Sequence, residues 1–394
     1  MKKILFRYFV FIGLFAHVIV LILLIVSPKL PSKFYSKFVA FYYQKATDYE
    51  YKRMTGNKLV NLEQEIKTAF KPWEPLAPSS ERKNAVSVNG VFFRDVYSAL
   101  TELNDGDELR FHEGVFNTSF SIDKDDITIA GVGHVVFEKS AAKGKGFIVN
   151  RGKNLKVINI ECRHISVADK NGACIRQEGE GLTLEHIYFH RSENGVLETA
   201  KNESNIFISD SRFELLGKSG QAHAIYSNRA NLYIHNSLFI ATKDEGHAIK
   251  NRGKKTHITN SLIASLSSDD SRLVDIPNGG ELTIKSSILQ QGPLSVNGQA
   301  IGFGLEGINS SQNSITLEGN IILLERIKTN TLLAVDDSNI AVIKNNEILR
   351  KDGDSIYLAN DFFSSRKDML MPTYPYFPFN SCELLGSCPI LLPK

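Results

Sequence analysis

Eight phrases of this chain can be written one beneath another. They are LKVINIEC from Leu155, LTLEHIYF from Leu182, IFISDSRF from Ile206, LYIHNSLF from Leu232, THITNSLI from Thr256, LTIKSSIL from Leu282, ITLEGNII from Ile315 and AVIKNNEI from Ala341. Successive starts lie 27, 24, 26, 24, 26, 33 and 26 residues apart. The third and eighth positions are apolar in every line, and the fifth and sixth are mostly small or polar. A period in the twenties, short alternating strands and Asn/Ser/Gly turns are the pattern of a solenoid whose coils bury a shared core. The strands are too short and the turns too frequent for a sheet with helical crossovers. The Leu-x-x-Leu-x-Leu frame of leucine-rich repeats is absent. The repeat predicts an all-β solenoid over 85–350.

The flanks differ in kind. Met1 to Arg7 is basic, and Phe9 to Val26 is apolar apart from His17. As a helix rising about 1.5 Å per residue, that run matches the thickness of a hydrocarbon core. It ends in Val-Ser-Pro with no small-x-small cleavage site, so 1–27 reads as an uncleaved signal anchor with a cytoplasmic N-terminus. The expected location is a single pass of the inner membrane, with the solenoid periplasmic or otherwise extracytoplasmic. Residues 28–84 read as a stalk closed by the Pro/Ser/charge stretch KPWEPLAPSSERKN. Phe93, Val96, Tyr97, Leu100 and Leu103 have helical spacing. Residues 351–394 form a tail in which MPTYPYFPF is a candidate cap over the last coils. Cys382 and Cys388 could close a small loop, and Cys162 at a core position reads as a buried free thiol. With 46 basic and 43 acidic residues, the charge gives no reason to expect nucleic acid as a partner.

A helix, then a DGDELRF…GVF opening, then stacked coils resembles the right-handed parallel β-helix proteins of the pectin-lyase-like superfamily. The resemblance covers Val86 to Arg350 and implies a right-handed parallel β-helix with an N-terminal capping helix. It does not imply one activity, because that fold carries lyases, hydrolases, epimerases and non-enzymatic adhesins.

Each coil has a further strand about nine residues before the aligned line: ACIRQEG from Ala173, GVLETAK from Gly195, HAIYSNR from His223, HAIKNRG from His247 and LVDIPNG from Leu273. With Ile175, Leu197, Ile225 and Ile249 as an inward column, Arg176, Glu198, Tyr226 and Lys250 form one outward file. Glu178, Asn228, Arg252 and Asn278 form the next, and Asp275 lies at or beside the end of the first. Strict alternation turns His223 and His247 inward, whereas a position at the strand start puts them at a turn. The phrases AHAIY, GHAIK-R, DIPNGG, QQGP and FGLEG resemble a bacterial group of β-helix proteins of largely unassigned substrate. That resemblance marks His223, Tyr226, His247, Lys250, Arg252, Asp275, Asn278 and Glu306.

A tyrosine, guanidinia, an amine and carboxylates on one shelf suit an acidic, uronate-containing polysaccharide as partner. β-Elimination requires a cation on the uronate carboxylate, a base near C5 and an acid near O4. Arg252 suits the first role because its fork can bind a carboxylate at two points. Lys250, Tyr226, His223 and His247 are candidates for acid and base, with Arg176, Glu178, Asn228, Asp275, Asn278 and Glu306 as binding groups. C5-epimerisation needs nearly the same set. A glycosidase would need two carboxylates flanking the bond, for which Asp269, Asp270 and Asp275 are available. A non-catalytic polysaccharide-binding or assembly protein is the alternative from another class. The paired-Asp motifs of polygalacturonases, the Asp-Pro-His of alginate epimerases and the paired arginines of pectate lyases are all missing. No cofactor is expected, with Ca²⁺ at the three aspartates as an alternative.

Overall fold

The computed structural model describes residues 61–76, 82–335, 340–350 and 359–377, together with 48–54 and scattered positions nearer the N-terminus. Two compact units divide the chain, Met1–Lys58 and Leu59–Lys394. In the first, the described residues are helical, and the apolar run Phe9 to Val26 lies outside them apart from Phe15, His17 and Val18. Among the described residues no helix is long and apolar enough to cross a membrane.

The second unit is a parallel β-helix, the architecture that the repeat and the resemblance implied. Row one of its strands is a nine-stranded parallel sheet that includes Ala173–Gln177, Asn194–Glu198, Ile225–Ser227, Ile249–Asn251, Val274–Ile276 and Gln299–Phe303. Row two carries the first half of each aligned phrase, as in Leu182–Glu185 and Asn231–His235. Row three carries the second half, as in Glu161–Arg163, Tyr188–His190 and Arg212–Glu214. Register follows the written alignment: Leu182 pairs with Leu155 and Ile206, and Phe189 with Cys162 and Phe213.

The repeat positions have separate physical reasons. Third and eighth residues such as Ile208, Ile234, Phe213 and Phe239 point inward and are buried. The fifth residue turns the corner between rows two and three in the left-handed region, at Asn159, His186, Asp210, Asn236, Asn260, Ser286 and Asn345. Asn, Asp and Gly tolerate that region best, which explains the column's composition. The sixth position holds the corner closed from coil to coil. Ser211 N donates to Ser237 Oγ at 3.2 Å, Ser237 N to Ser261 Oγ at 3.1 Å, and Ser261 N to Ser287 Oγ at 3.1 Å.

The capping helix, α1, is shorter than its spacing predicted. It spans Val96–Thr101, because Phe93 closes a hairpin of Val86–Val88 with Val91–Phe93. Asp95 caps it by accepting from Ser98 N at 2.8 Å, and Val96, Ala99 and Leu103 bury on the first coil.

Cys162 is not a free thiol. It is bonded to Cys174, with Cα atoms 5.9 Å apart across the turn that carries row three back to row one. The pairing joins two positions that occur once each, so the repeat gave no sign of it. Cys382 and Cys388 lie outside the described residues.

The described residues 61–76 fall in the same compact unit as the β-helix. The helix α2, Leu62–Ala69, lays Ile66 and Ala69, with Phe70 after it, on the outer face of row three against Leu238, Ile240 and Leu262. Met369 and Phe377 cover the same cluster alongside Leu323 and Leu349. The described C-terminal residues thus lie beside α2 and against the last coils. Tyr374 Oη donates to Glu65 Oε2 at 3.1 Å, and the Phe70 and Phe377 rings are 5.6 Å apart. Each Leu or Ile so covered contributes about 1.5–3 kcal/mol.

Candidate functional site

Row one fixes the register of the expected shelf. Ile225 pairs with Val196 and Ile249, and Tyr226 pairs with Lys250, which pairs with Asp275. The outward file therefore runs Arg176, Leu197, Tyr226, Lys250, Asp275 and Gly302. Glu198 is not in it. The phrase GVLETAK is shifted by one residue, so Val196 is the inward residue and Glu198 falls in the buried polar file of Gln177, Ser227 and Asn251. From there its Oε2 accepts from Asn228 N at 2.8 Å and Arg229 N at 2.9 Å, closing the next coil's turn.

Tyr226, Lys250, Arg252, Asp275, Asn278 and Glu306 come together. Arg252 Nε donates to Tyr226 Oη at 3.2 Å, Nη1 to Asn278 Oδ1 at 2.8 Å, and Nη2 to Glu306 Oε2 at 2.6 Å. Lys250 Nζ donates to Glu306 Oε1 at 3.0 Å and lies 3.6 Å from Asp275 Oδ2. One Glu306 carboxylate thus bridges an ammonium and a guanidinium. Partial burial opposes its ionisation, but the hydrogen bonds from Arg252 and Lys250 outweigh that and hold the carboxyl below its ordinary range. Glu306 is half-exposed and sits on a loop that leaves row one at Gly304, whose φ of 73° favours glycine. Lys250 is 12% exposed and Arg252 24% exposed at the side chain, so both remain reachable.

Asp275 is buried at the base of the shelf. Arg272, which the sequence reading missed, holds its Oδ1 at 3.2 Å. Gly302 in the next coil leaves room for this pair, since a Cβ there would meet Asp275 Oδ1 at 2.7 Å and Arg272 Nε at 2.9 Å.

Both histidines are buried in the turn just before their strands, on the side of the outward file: the His223 ring lies 5.2 Å from that of Tyr226, and His247 Nε2 lies 3.6 Å from Asp275 Oδ2. His223 Nδ1 accepts from His247 N at 3.0 Å, and His247 Nδ1 accepts from Arg272 N at 3.1 Å. Their rings stack 5.0 Å apart. Burial, then the charges of His247, Lys250 and Arg252, pushes His223 well below the usual histidine range. Burial lowers His247 to about 4 despite Asp275 3.6 Å away. Their rings order the starts of the two row-one strands.

Arg176 and Glu178 stand apart. Leu197 separates Arg176 from Tyr226 in the file, and Glu178 pairs with Lys145 and Arg151. Asn228 donates from Nδ2 to Glu198 O at 2.9 Å and lines a trough of about 660 Å³ with Arg252 and Asn278. The three aspartates considered for Ca²⁺ or hydrolysis have separate partners. Asp269 accepts from Asp244 N, Asp270 from the Ser265 and Ser295 hydroxyls, and Asp275 pairs as above. Burial raises Asp270 to about 7 against those two hydrogen bonds. Among the described residues no group of three or more His, Cys, Asp or Glu is arranged to hold a metal ion.

A second charged cluster, also missed, lies on the outer face of row three. Glu161 receives His134 Nε2 at 2.6 Å, His190 Nε2 at 3.0 Å and Arg163 Nη1 at 2.9 Å. Arg163 also binds Glu138 at 2.7 Å, and Tyr188 Oη donates to Glu214 at 3.1 Å. The segment after α2 crosses it. The Trp73 ring lies 5.2 Å from His186, 5.9 Å from Tyr188 and 6.1 Å from His134. Burial works against the charge on Glu161, yet the hydrogen bonds from His190 and His134 lower it to about 2.

No family model matches the chain, and no curated protein matches it. Among solved structures it is similar to pectate lyase Pel9A, at 13% identity over 64% of this chain and 74% of that one, with a TM-score of 0.37. It is also similar to Geobacillus virus E2 ORF18, at 12% identity over 68% of this chain and a TM-score of 0.37. The chain spans 58% of that viral protein's length.

Proposed function

We propose that this protein binds a uronate-containing polysaccharide at the Tyr226–Lys250–Arg252 shelf and cleaves it by β-elimination. One observation carries the reading: a carboxylate, that of Glu306, already sits between Lys250 Nζ at 3.0 Å and Arg252 Nη2 at 2.6 Å. A site that holds a glutamate so can hold a uronate carboxylate in its place. The two cations then stabilise the charge that develops on the carboxylate when the C5 proton leaves. In this scheme Tyr226 Oη, beside Arg252, takes that proton and delivers it to O4 as the C4–O4 bond breaks and the C4–C5 double bond forms. Lys250, paired with two carboxylates, serves as a cation in this scheme, and the buried histidines serve as supports. The charge stabilisation comes from side chains, so the scheme needs no cofactor. C5-epimerisation at the same shelf differs in returning the proton to C5 from the other side.

A binding protein without catalysis is the second reading. It is favoured by the fact that Lys250, Arg252, Asp275 and Glu306 are all ion-paired already.

For location we propose a single-pass inner-membrane anchor with a periplasmic β-helix. The apolar run Phe9 to Val26 behind a basic start supports the anchor. The Cys162–Cys174 disulfide supports an oxidising compartment.

The test incubates the full-length protein, in detergent, with a panel of uronate polysaccharides and follows the ultraviolet absorbance of the unsaturated product. Elimination at this shelf requires that Tyr226→Phe lower the rate at least roughly a hundredfold. Binding without absorbance leaves the binding or epimerase reading, separated by analysing C5 configuration. Absence of both binding and turnover on every uronate polymer would sink the proposal.

A further inference from the structure

The trough beside Arg252 does not end at that residue. A second trough, of about 260 Å³, is lined by Lys153, Glu180, Thr183, Asn205 and Phe207. Consecutive residues line the two, Glu203 the first and Ser204 the second. Both are built from the turns by which row one hands the chain to row two. Six successive turns contribute, at Lys153, Glu180, Lys201, Arg229, Arg252 and Asn278. At about 4.8 Å per coil, the combined corner runs roughly 24 Å along the solenoid axis.

Phe207 is an unusual residue for this face. The outward file of row two holds Thr183 before it and Tyr233 and His257 after it. Phe207 is 46% exposed. One face of its ring stacks on Tyr233 at 5.0 Å and 16°. Its neighbour on the other side is Thr183, too small to cover a ring, and the two side chains share the wall of the second trough. A flat apolar ring beside a hydroxyl, an amide and an ammonium is what a pyranose needs. Its C–H face lies on the ring while its hydroxyls and carboxylate meet the polar groups. Lys153 is exposed and has no ion-pair partner among the described residues.

We propose that Phe207 and Lys153 form a distal subsite for a sugar of the same acidic polysaccharide whose carboxylate is taken by Lys250 and Arg252. The polymer then lies along the corner, parallel to the axis. This inference rests on the function proposed above. It adds a length requirement that the shelf alone does not impose, because only an oligomer long enough to reach both places gains from both.

The test titrates full-length protein calorimetrically with size-fractionated oligomers of whichever uronate polysaccharide the panel shows to bind. Affinity rises with length. Phe207→Ala and Lys153→Glu each weaken the longest oligomers roughly threefold to tenfold, and disaccharides show no comparable loss. Melting temperatures check that both variants fold, as expected for exposed side chains. Equal affinity of wild type and both variants for the longest oligomers overturns the distal subsite while leaving the shelf intact. Loss of all binding in Arg252→Ala, with the length series flat, does the same. No binding of any uronate polymer removes the shelf reading and the subsite with it.

Discussion

Two regions of this molecule carry dense sets of charged and aromatic side chains, and they are built to opposite ends. On row three, Glu161, Glu138, Arg163, His134 and His190 pair with one another beneath Trp73. On row one, Lys250 and Arg252 share a single half-exposed carboxylate from a loop that begins at Gly304. Charge density is no guide to which is a site. What separates them is whether the partner can leave. Displacing Glu161 would take the shared acceptor from Arg163, His134 and His190, whereas displacing Glu306 opens a shelf that is already partly exposed.

Substitution tests that contrast directly. Glu161→Gln leaves Arg163 and two histidines around a neutral amide, and breaking such a buried pair costs about 3–5 kcal/mol. A melting temperature equal to wild type would show that the row-three cluster is not the structural clamp described.

The next effect belongs to the histidines beneath the shelf. His247 lies at about 4 when folded against an ordinary 6.5, so the unfolded chain binds its proton first as pH falls. Its contribution is complete above pH 6.5 and is lost on descending through 4, amounting to about 3 kcal/mol. His223, also depressed, adds loss in the same direction. Asp270, raised to about 7, acts oppositely: its contribution is full below 3.8 and is lost as pH rises through 7. The comparison to make is denaturation of wild type and His247→Gln between pH 7 and pH 4. The wild type should lose more stability than the variant on acidification, and parallel curves would refute a buried neutral His247.

The smallest effect is the most diagnostic of the shelf. Glu306→Gln removes the internal competitor and should tighten uronate binding roughly threefold to tenfold with little change in stability. Weaker binding instead would make Glu306 a contact to the ligand, the role the sequence first suggested.

Much of this was legible because the chain repeats itself. His-Ala-Ile occurs at both His223 and His247, so the pairing of Tyr226 with Lys250 followed from the alignment alone. The same method slipped by one at Leu197, where no such phrase occurs and 199–204 lengthens the turn. The covering layer also left a trace. The seventh position of the aligned phrases reads Glu161, Tyr188, Arg212, then Leu238, Leu262, Ile288 and Ile321. An outward position that turns apolar for four coils needs something over it, and α2 with the C-terminal segment supplies that cover. Glu306 at the shelf was marked by resemblance, but its bridging of two cations was not readable. That contact joins residues 54 and 56 positions apart through a loop outside the repeat.

The central claim is that Arg252 receives the carboxylate of an acidic polysaccharide. Its most direct test is one calorimetric titration of a uronate polymer into the full-length wild type and into Arg252→Ala. Truncating one partner of such a hydrogen-bonded charge pair costs about 2–5 kcal/mol of affinity, so binding should weaken at least roughly thirtyfold while the protein stays folded. Equal affinity of the two proteins for the same polymer would contradict the account.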